Sequence, residues 1–154
     1  MTSSVVTDDV AEVQQLVRTL LAAFVSGPET GARLHALRTL FVGEAVIVRT
    51  CGDEPLVMDL DAFIAPREAL LTGGHLVDFS EWELAGHTEV FGDIAHHTST
   101  YAKAGVQDGS PFTGRGMKHI QCVRTARGWR ISALAWDDER DGLAIVEPSE
   151  TGRL

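Results

Sequence analysis

Apolar residues in the opening stretch recur at helical spacing. Val10, Val13, Val17, Leu20, Leu21 and Phe24 share one face. Thr7, Asp8 and Asp9 supply an N-cap and an acidic first turn, and Ser26-Gly27-Pro28 stops the helix. A second, shorter helix covers Thr30 to Thr39 and buries Leu34 and Leu37. Phe41 to Thr50 reads as a strand, because Val46 and Val48 alternate with Ile47 and Arg49. Gly52-Asp53-Glu54-Pro55 turns the chain into a short partner strand, Leu56 to Met58. Asp59 or Asp61 caps a third helix through Ala62, Phe63, Ile64, Ala69, Leu70 and Leu71. Pro66 interrupts that helix or starts its second half, and Gly73-Gly74 ends it.

The remaining half changes period from helical to alternating. Three long strands are predicted: Leu76 to Phe91, Ile94 to Gly105, and Met117 to Asp137, the last folded into a hairpin at Ala126-Arg127-Gly128. Helices first and an antiparallel sheet after make an α+β chain. Residues 1–154 are expected to form one domain, with a core over about 7–140 and an acidic tail over 141–154. Within that tail Leu143 to Val146 adds a short packed segment.

Hairpin turns assign faces, since opposed residues share a side. A two-residue turn at Gly92-Asp93 pairs Phe91 with Ile94. One side then carries Trp82, Leu84, Val90, Ala95, His97, Ser99 and Tyr101, and the other Glu81, Glu83, Glu89, His96, Thr98 and Thr100. The first is the better core; a bulge would invert part of the assignment. In the second hairpin, a three-residue turn ending in Gly128 pairs Thr125 with Trp129 and keeps Arg124 off the core face. Met117, His119, Gln121, Val123, Trp129, Ile131, Ala133, Ala135 and Asp137 then point inward. Ile120, Leu134 and Trp136 are left together outside, a patch expected to form a dimer interface between sheets unless the C-terminal segment covers it.

Composition narrows the function classes. The chain has 154 residues, 44% hydrophobic and 23% charged, ample for a core. Its net charge of −9 and scattered basic residues argue against nucleic acid and membrane surfaces as partners. Two cysteines, Cys51 and Cys122, without CxxC spacing read as reduced thiols, and a cytoplasmic setting is expected. No phosphate loop or nucleophile elbow is present, and Gly114-Arg115-Gly116 is too short to cradle phosphate.

Five segments carry a family resemblance: GEAVIVRT, DLDAFIAPREALL, FGDIAHHTSTYA, GRGMKHIQCVRT and GWRISALAWDDE. Together they resemble the nuclear transport factor 2-like (NTF2-like) superfamily over roughly Val10 to Arg140, nearest to its SnoaL-like and ketosteroid isomerase-like branch. The resemblance implies a cystatin-like cone of three N-terminal helices on a curved, mostly antiparallel sheet. It also implies a pocket in the open end and, commonly, a dimer. Members include cofactor-independent isomerases, dehydratases and cyclases, besides binding modules.

The corresponding chemistry falls on His97, Tyr101, His119 and Asp137, all predicted to project into the hollow. An imidazole takes a proton at near-neutral pH, and a phenol donates to a developing enolate. Asp137 orients His119 or acts as the base itself. Trp82, Ser99, Gln121, Ala133 and Ala135 are the expected ligand-binding residues around a small hydrophobic or carbonyl-containing molecule. The alternatives are a buried polar network that satisfies itself and a non-catalytic binding or interaction module. Glu81 and Glu83 read as a solvated outer face, unless a bulge turns Glu81 inward. No metal or cofactor is expected, because His96 and His97 point to opposite faces.

Overall fold

The computed structural model describes residues 2–146, with side chains from Asp8 onward. The elements are α1 (Thr2–Ala22), α2 (Thr30–Ala36), a 3-10 turn (Leu37–Leu40), β1 (Phe41–Arg49), β2 (Leu56–Met58), α3 (Leu60–Thr72), β3 (Leu76–Phe91), β4 (Ile94–Gln107), β5 (Ser110–Thr125) and β6 (Gly128–Asp138). Two strands stand between the second and third helices, so the helices are not all N-terminal.

The strands form a six-stranded sheet in the order β2-β1-β6-β5-β4-β3. Every pairing is antiparallel except β1 with β6. Helix α3 touches both β1 and β3, which have three strands between them. One helix reaches both only because the sheet curls around it. Extra residues in β3 and β6 accompany this curl: register shifts fall between Val77 and Ser80, between Glu83 and Ala85, and between Gln121 and Cys122.

Helix faces agree with the spacing. Val13, Val17, Leu20, Leu21 and Phe24 are buried, as are Leu34 and Leu37. The Asp59 carboxylate accepts from the Ala62 amide at 2.8 Å, capping α3. The expected cap of α1 at Thr7 to Asp9 is not the start of that helix, which already runs from Thr2. Asp9 instead sits about two turns inside and anchors the helix to the sheet. Its carboxylate accepts from Arg124 at 3.0 and 2.8 Å and from the Trp129 indole at 3.1 Å. Arg124, foremost, holds the Asp9 carboxyl below its ordinary pKa.

The first hairpin closes as expected, Phe91 opposite Ile94. The second does not. Its turn is two residues long, Thr125 opposite Gly128, and Arg124 faces Trp129 with its guanidinium 4.7 Å from the indole. That arginine keeps its charge at the rim while its stem covers the ring. Strand β5 also begins at Ser110 and not at Met117, paired to β4 from its first residue.

These two facts reverse the faces of β5. Ile120, Leu134 and Trp136, expected as an exposed dimer patch, are 0%, 2% and 9% exposed and belong to the core. Met117, His119, Gln121, Ala133, Ala135 and Asp137 take the opposite, convex side; none of them is buried. Trp129 and Ile131 stay inside because Ser132 is an extra residue between Ile131 and Ala133.

Candidate functional site

A cavity of about 310 Å³ opens between α3 and the inner face of the sheet. Phe24, Phe63, Leu71, Leu76, Phe79 and Phe112 supply apolar wall. Against it stand Glu81, Tyr101, Lys103, Lys118 and Asp138, with Arg49 and Arg67.

Strand irregularity brings them together. Leu84 is the unopposed residue between Glu83, which faces Tyr101, and Ala85, which faces Thr100. It flips the first half of β3, so Glu81 and Glu83 turn inward while Trp82 and Leu84 turn out, 44% and 47% exposed. Trp82 therefore cannot floor the cavity. Asp78, with φ of 53°, is part of the earlier irregularity that lets both Leu76 and Phe79 reach the cavity.

Lys118 is 6% exposed and its ammonium lies 3.5 Å from Glu81, itself 10% exposed. The same ammonium sits 4.0 Å from the Tyr101 ring centroid and 5.2 Å from that of Trp136. Burial pushes the Lys118 pKa below the usual lysine value, with Glu81 opposing. Tyr101 donates its hydroxyl hydrogen to Asp138, and Lys103 donates to the other carboxylate oxygen at 2.8 Å. Burial, then the Asp138 contact, raises the Tyr101 pKa, so the phenol stays neutral. Burial alone would raise Asp138; the bonds from Lys103 and Tyr101 outweigh it and keep the carboxyl low. Gly116, opposite Tyr101 in the sheet, makes this reach possible: any side chain there would run into the Tyr101 hydroxyl.

The expected site residues separate into three places. Tyr101 lines the cavity. His97 and Ser99 share the inner face but form a separate cluster beside it, both fully buried. His97 Nε2 is 2.8 Å from Glu83, Ser99 donates to the same oxygen at 2.6 Å, and Thr88 lies 2.7 Å from His97 Nδ1. The His97 bond, chiefly, lowers the Glu83 pKa. His119, Ala135 and Asp137 meet on the convex side, lining an open hollow of about 540 Å³ together with Leu143 to Val146, a segment expected to pack that is instead largely exposed. There Asp137 is engaged by Arg140 and not by His119. Gln121 bonds His96 at 2.9 Å on that same side, and Ala133 faces it too. The imidazoles that approach across the β4–β5 pair are thus His96 and His119, ring centroids 5.6 Å apart, and not His97 and His119.

Glu81, Lys103, Lys118, Asp138 and Arg67 were not singled out as cavity residues by sequence. One signal was available for Lys118: it alternates with Ile120 and Cys122, whose burial makes their strand face the inner one. Among the described residues no group of three or more His, Cys, Asp or Glu side chains is placed to hold a metal ion. No helix among them is long and apolar enough to cross a membrane.

No family model matches the sequence, and no curated protein matches it. Solved structures do. A candidate dehydratase of the NTF2-like family from Streptomyces avermitilis aligns at 17% identity and a TM-score of 0.67, covering 87% of this chain and 98% of that one. An NTF2-like protein with a cystatin-like fold from Novosphingobium aromaticivorans aligns at 19% identity and a TM-score of 0.63, covering 90% and 89%. A candidate calcium/calmodulin-dependent protein kinase II association domain from Xanthomonas campestris aligns at 17% identity and a TM-score of 0.66, covering 84% and 87%. At such identities the likeness speaks for architecture alone. With its curled six-stranded sheet and its helices on the inner face, this chain has the NTF2-like, cystatin-like fold.

Proposed function

We propose that the cavity binds a small carbonyl compound and moves a proton beside its carbonyl group, the chemistry of a cofactor-independent isomerase or lyase. The observation that carries this is the Glu81–Lys118 pair, a carboxylate and an ammonium 3.5 Å apart and almost wholly withdrawn from water. A carboxylate in a dry site takes a proton from the carbon next to a carbonyl. The electron pair moves to the carbonyl oxygen, where the Lys118 ammonium stabilises the enolate. Return of the proton to another carbon gives an isomer; loss of a β-substituent gives elimination. Lys118's lowered pKa makes it the better donor to that oxygen. Tyr101, kept neutral and engaged by Asp138, positions the Lys118 ammonium through its ring face. The NTF2-like neighbour described as a candidate dehydratase is consistent with such chemistry.

The test is hydrogen–deuterium exchange in D2O on a panel of small ketones and oxo acids, followed by NMR. Wild type is expected to label the α-carbon of at least one panel member. Glu81→Gln is expected to slow this about a hundredfold or more, and Lys118→Met likewise. Exchange in wild type no faster than in Glu81→Gln for every compound would reject the reading. Ligand-induced thermal stabilisation without exchange would favour a non-catalytic binding module instead.

A second copy of the chain is proposed to cover the convex face. Trp82 and Val46 are 44% and 46% exposed there, and one neighbour is described as an association domain. Sedimentation should show a dimer that Trp82→Glu weakens; a wild-type monomer at high concentration would discard it.

A further inference from the structure

We propose that the cavity's ligand is the anion of a small carboxylic acid, its carboxylate held by Arg67 on the helix side. Every other cation in the lining has a carboxylate of its own: Lys103 has Asp138 at 2.8 Å, Lys118 has Glu81 at 3.5 Å and Arg49 has Asp53 at 3.5 Å. Arg67 does not. Among the described residues no carboxylate lies within ion-pair distance of it. One of its N–H groups donates to the Phe63 carbonyl at 3.0 Å. Its guanidinium lies 4.2 Å from the Phe63 ring centroid and 5.1 Å from that of Trp136. The aromatic contacts fix the plane of the fork and leave further donors for a bidentate acceptor.

Arg67 is half-buried and has no carboxylate in contact among the described residues, Glu81 opposing the burial only from farther off, and a ligand carboxylate would offset the remaining cost. Burial lowers the Arg67 pKa to about 10, so the group is still a cation at neutral pH. The lining holds four cations, Arg49, Arg67, Lys103 and Lys118, against two carboxylates, Glu81 and Asp138; with Asp53 pairing Arg49 from outside the lining, one positive charge is left over. This surplus of positive charge stands in a chain whose net charge is −9. The cavity is thus the reverse of the surface around it, a field that draws anions inward.

The remainder of the ligand follows from the walls. Phe24, Phe79, Phe112, Leu71 and Leu76 call for an apolar body. A volume of about 310 Å³ equals roughly ten waters at ~30 Å³ each, which fits an acid of about ten non-hydrogen atoms. Arg67 and Lys118 line the same cavity and lie 5.1 and 5.2 Å from the centroid of one ring, Trp136. A short oxo acid can therefore place its carboxylate on one and its carbonyl oxygen on the other. This substrate class rests on the proton-transfer reading above, since Lys118 is the group that receives the carbonyl.

The test compares benzoate, phenylacetate and 4-oxopentanoate with their neutral amides by calorimetry, on wild type, Arg67→Met, Arg67→Lys and Glu81→Gln. At least one acid is expected to bind wild type about tenfold or more tightly than its amide. Arg67→Met should abolish that preference, Arg67→Lys should retain part of it, and Glu81→Gln should keep it. Equal binding of acids and amides, no binding by any acid, or an undiminished preference in Arg67→Met would overturn the proposal. If Arg67→Met does not fold, the acid–amide ratio in wild type and its decrease in Arg67→Lys decide the matter. Acids that bind through Arg67 without any deuterium exchange would sink the catalytic reading alone. Exchange on neutral ketones with no preference for acids would sink the anion site alone.

Discussion

His97 and His119 are one residue out of step: His97 stands opposite Ile120 and His119 opposite Thr98, so the two imidazoles leave the sheet on opposite sides. The consequence for stability is direct. His97→Ala removes a fully buried ring and leaves the inward Glu83 carboxylate with Ser99 alone, which should cost about 2–4 kcal/mol. His119→Ala touches an exposed ring and should stay within about 0.5 kcal/mol of wild type. Chemical denaturation of both variants measures this; equal losses would contradict the register.

Acid should weaken the fold through Glu83. Its folded pKa is depressed, first by the His97 bond, below an unfolded value of about 4.3. The folded state therefore binds fewer protons than the unfolded one near that pH. The contribution is fully present above the unfolded pKa and disappears as pH falls through the folded value. Asp9, lowered by Arg124, acts with the same sign. Melting temperature followed from pH 7 towards pH 3 should decline less steeply in Glu83→Gln than in wild type. Parallel curves would remove Glu83 from the account.

Most of this architecture is written in the chain's periodicity, and the site is not. The apolar stripe from Val13 to Phe24, the α3 cap at Asp59 and the turn at Gly92-Asp93 were all legible, because each is a local signal. The faces of the long strands depend on single extra residues. Leu84 and Ser132 look like any other strand residue, yet each reverses everything beyond it. Arg124 misled for a different reason. An arginine beside Trp129 looks wrong for a core, but Asp9, over a hundred positions earlier, supplies its counter-charge. That partnership has no local trace. The start of β5 was hidden as well, since Pro111, Gly114 and Gly116 lower the strand propensity of a segment that tertiary pairing holds extended.

The reversal of faces predicts a contrast between two large apolar residues. Leu134 is 2% exposed and lines the cavity, so Leu134→Ala should cost about 2–4 kcal/mol. Trp82, 44% exposed on the convex side, should lose less than about 1 kcal/mol as Trp82→Thr. Urea denaturation at low protein concentration, where association does not contribute, separates the two. A tolerated Leu134→Ala with a destabilised Trp82→Thr would mean that the faces are assigned the wrong way round.

Gly116 gives the sharpest test of how the cavity is built. A methyl group there would overlap the Tyr101 hydroxyl and lie 2.6 Å from the Asp137 carbonyl, so the ring must move and release Asp138. Gly116→Ala should cost about 1–3 kcal/mol, the usual range for overpacking. Part of that cost belongs to the ring and part to the Asp137 carbonyl, and a double-mutant cycle divides them. In a Tyr101→Ala background the ring is gone and only the carbonyl contact remains. The penalty for Gly116→Ala should then fall by about 1 kcal/mol or more. Additive losses would show that Tyr101 does not cross β5 at Gly116. The Tyr101–Asp138 bond, and the Lys118 position that rests on the Tyr101 ring, would fall with it.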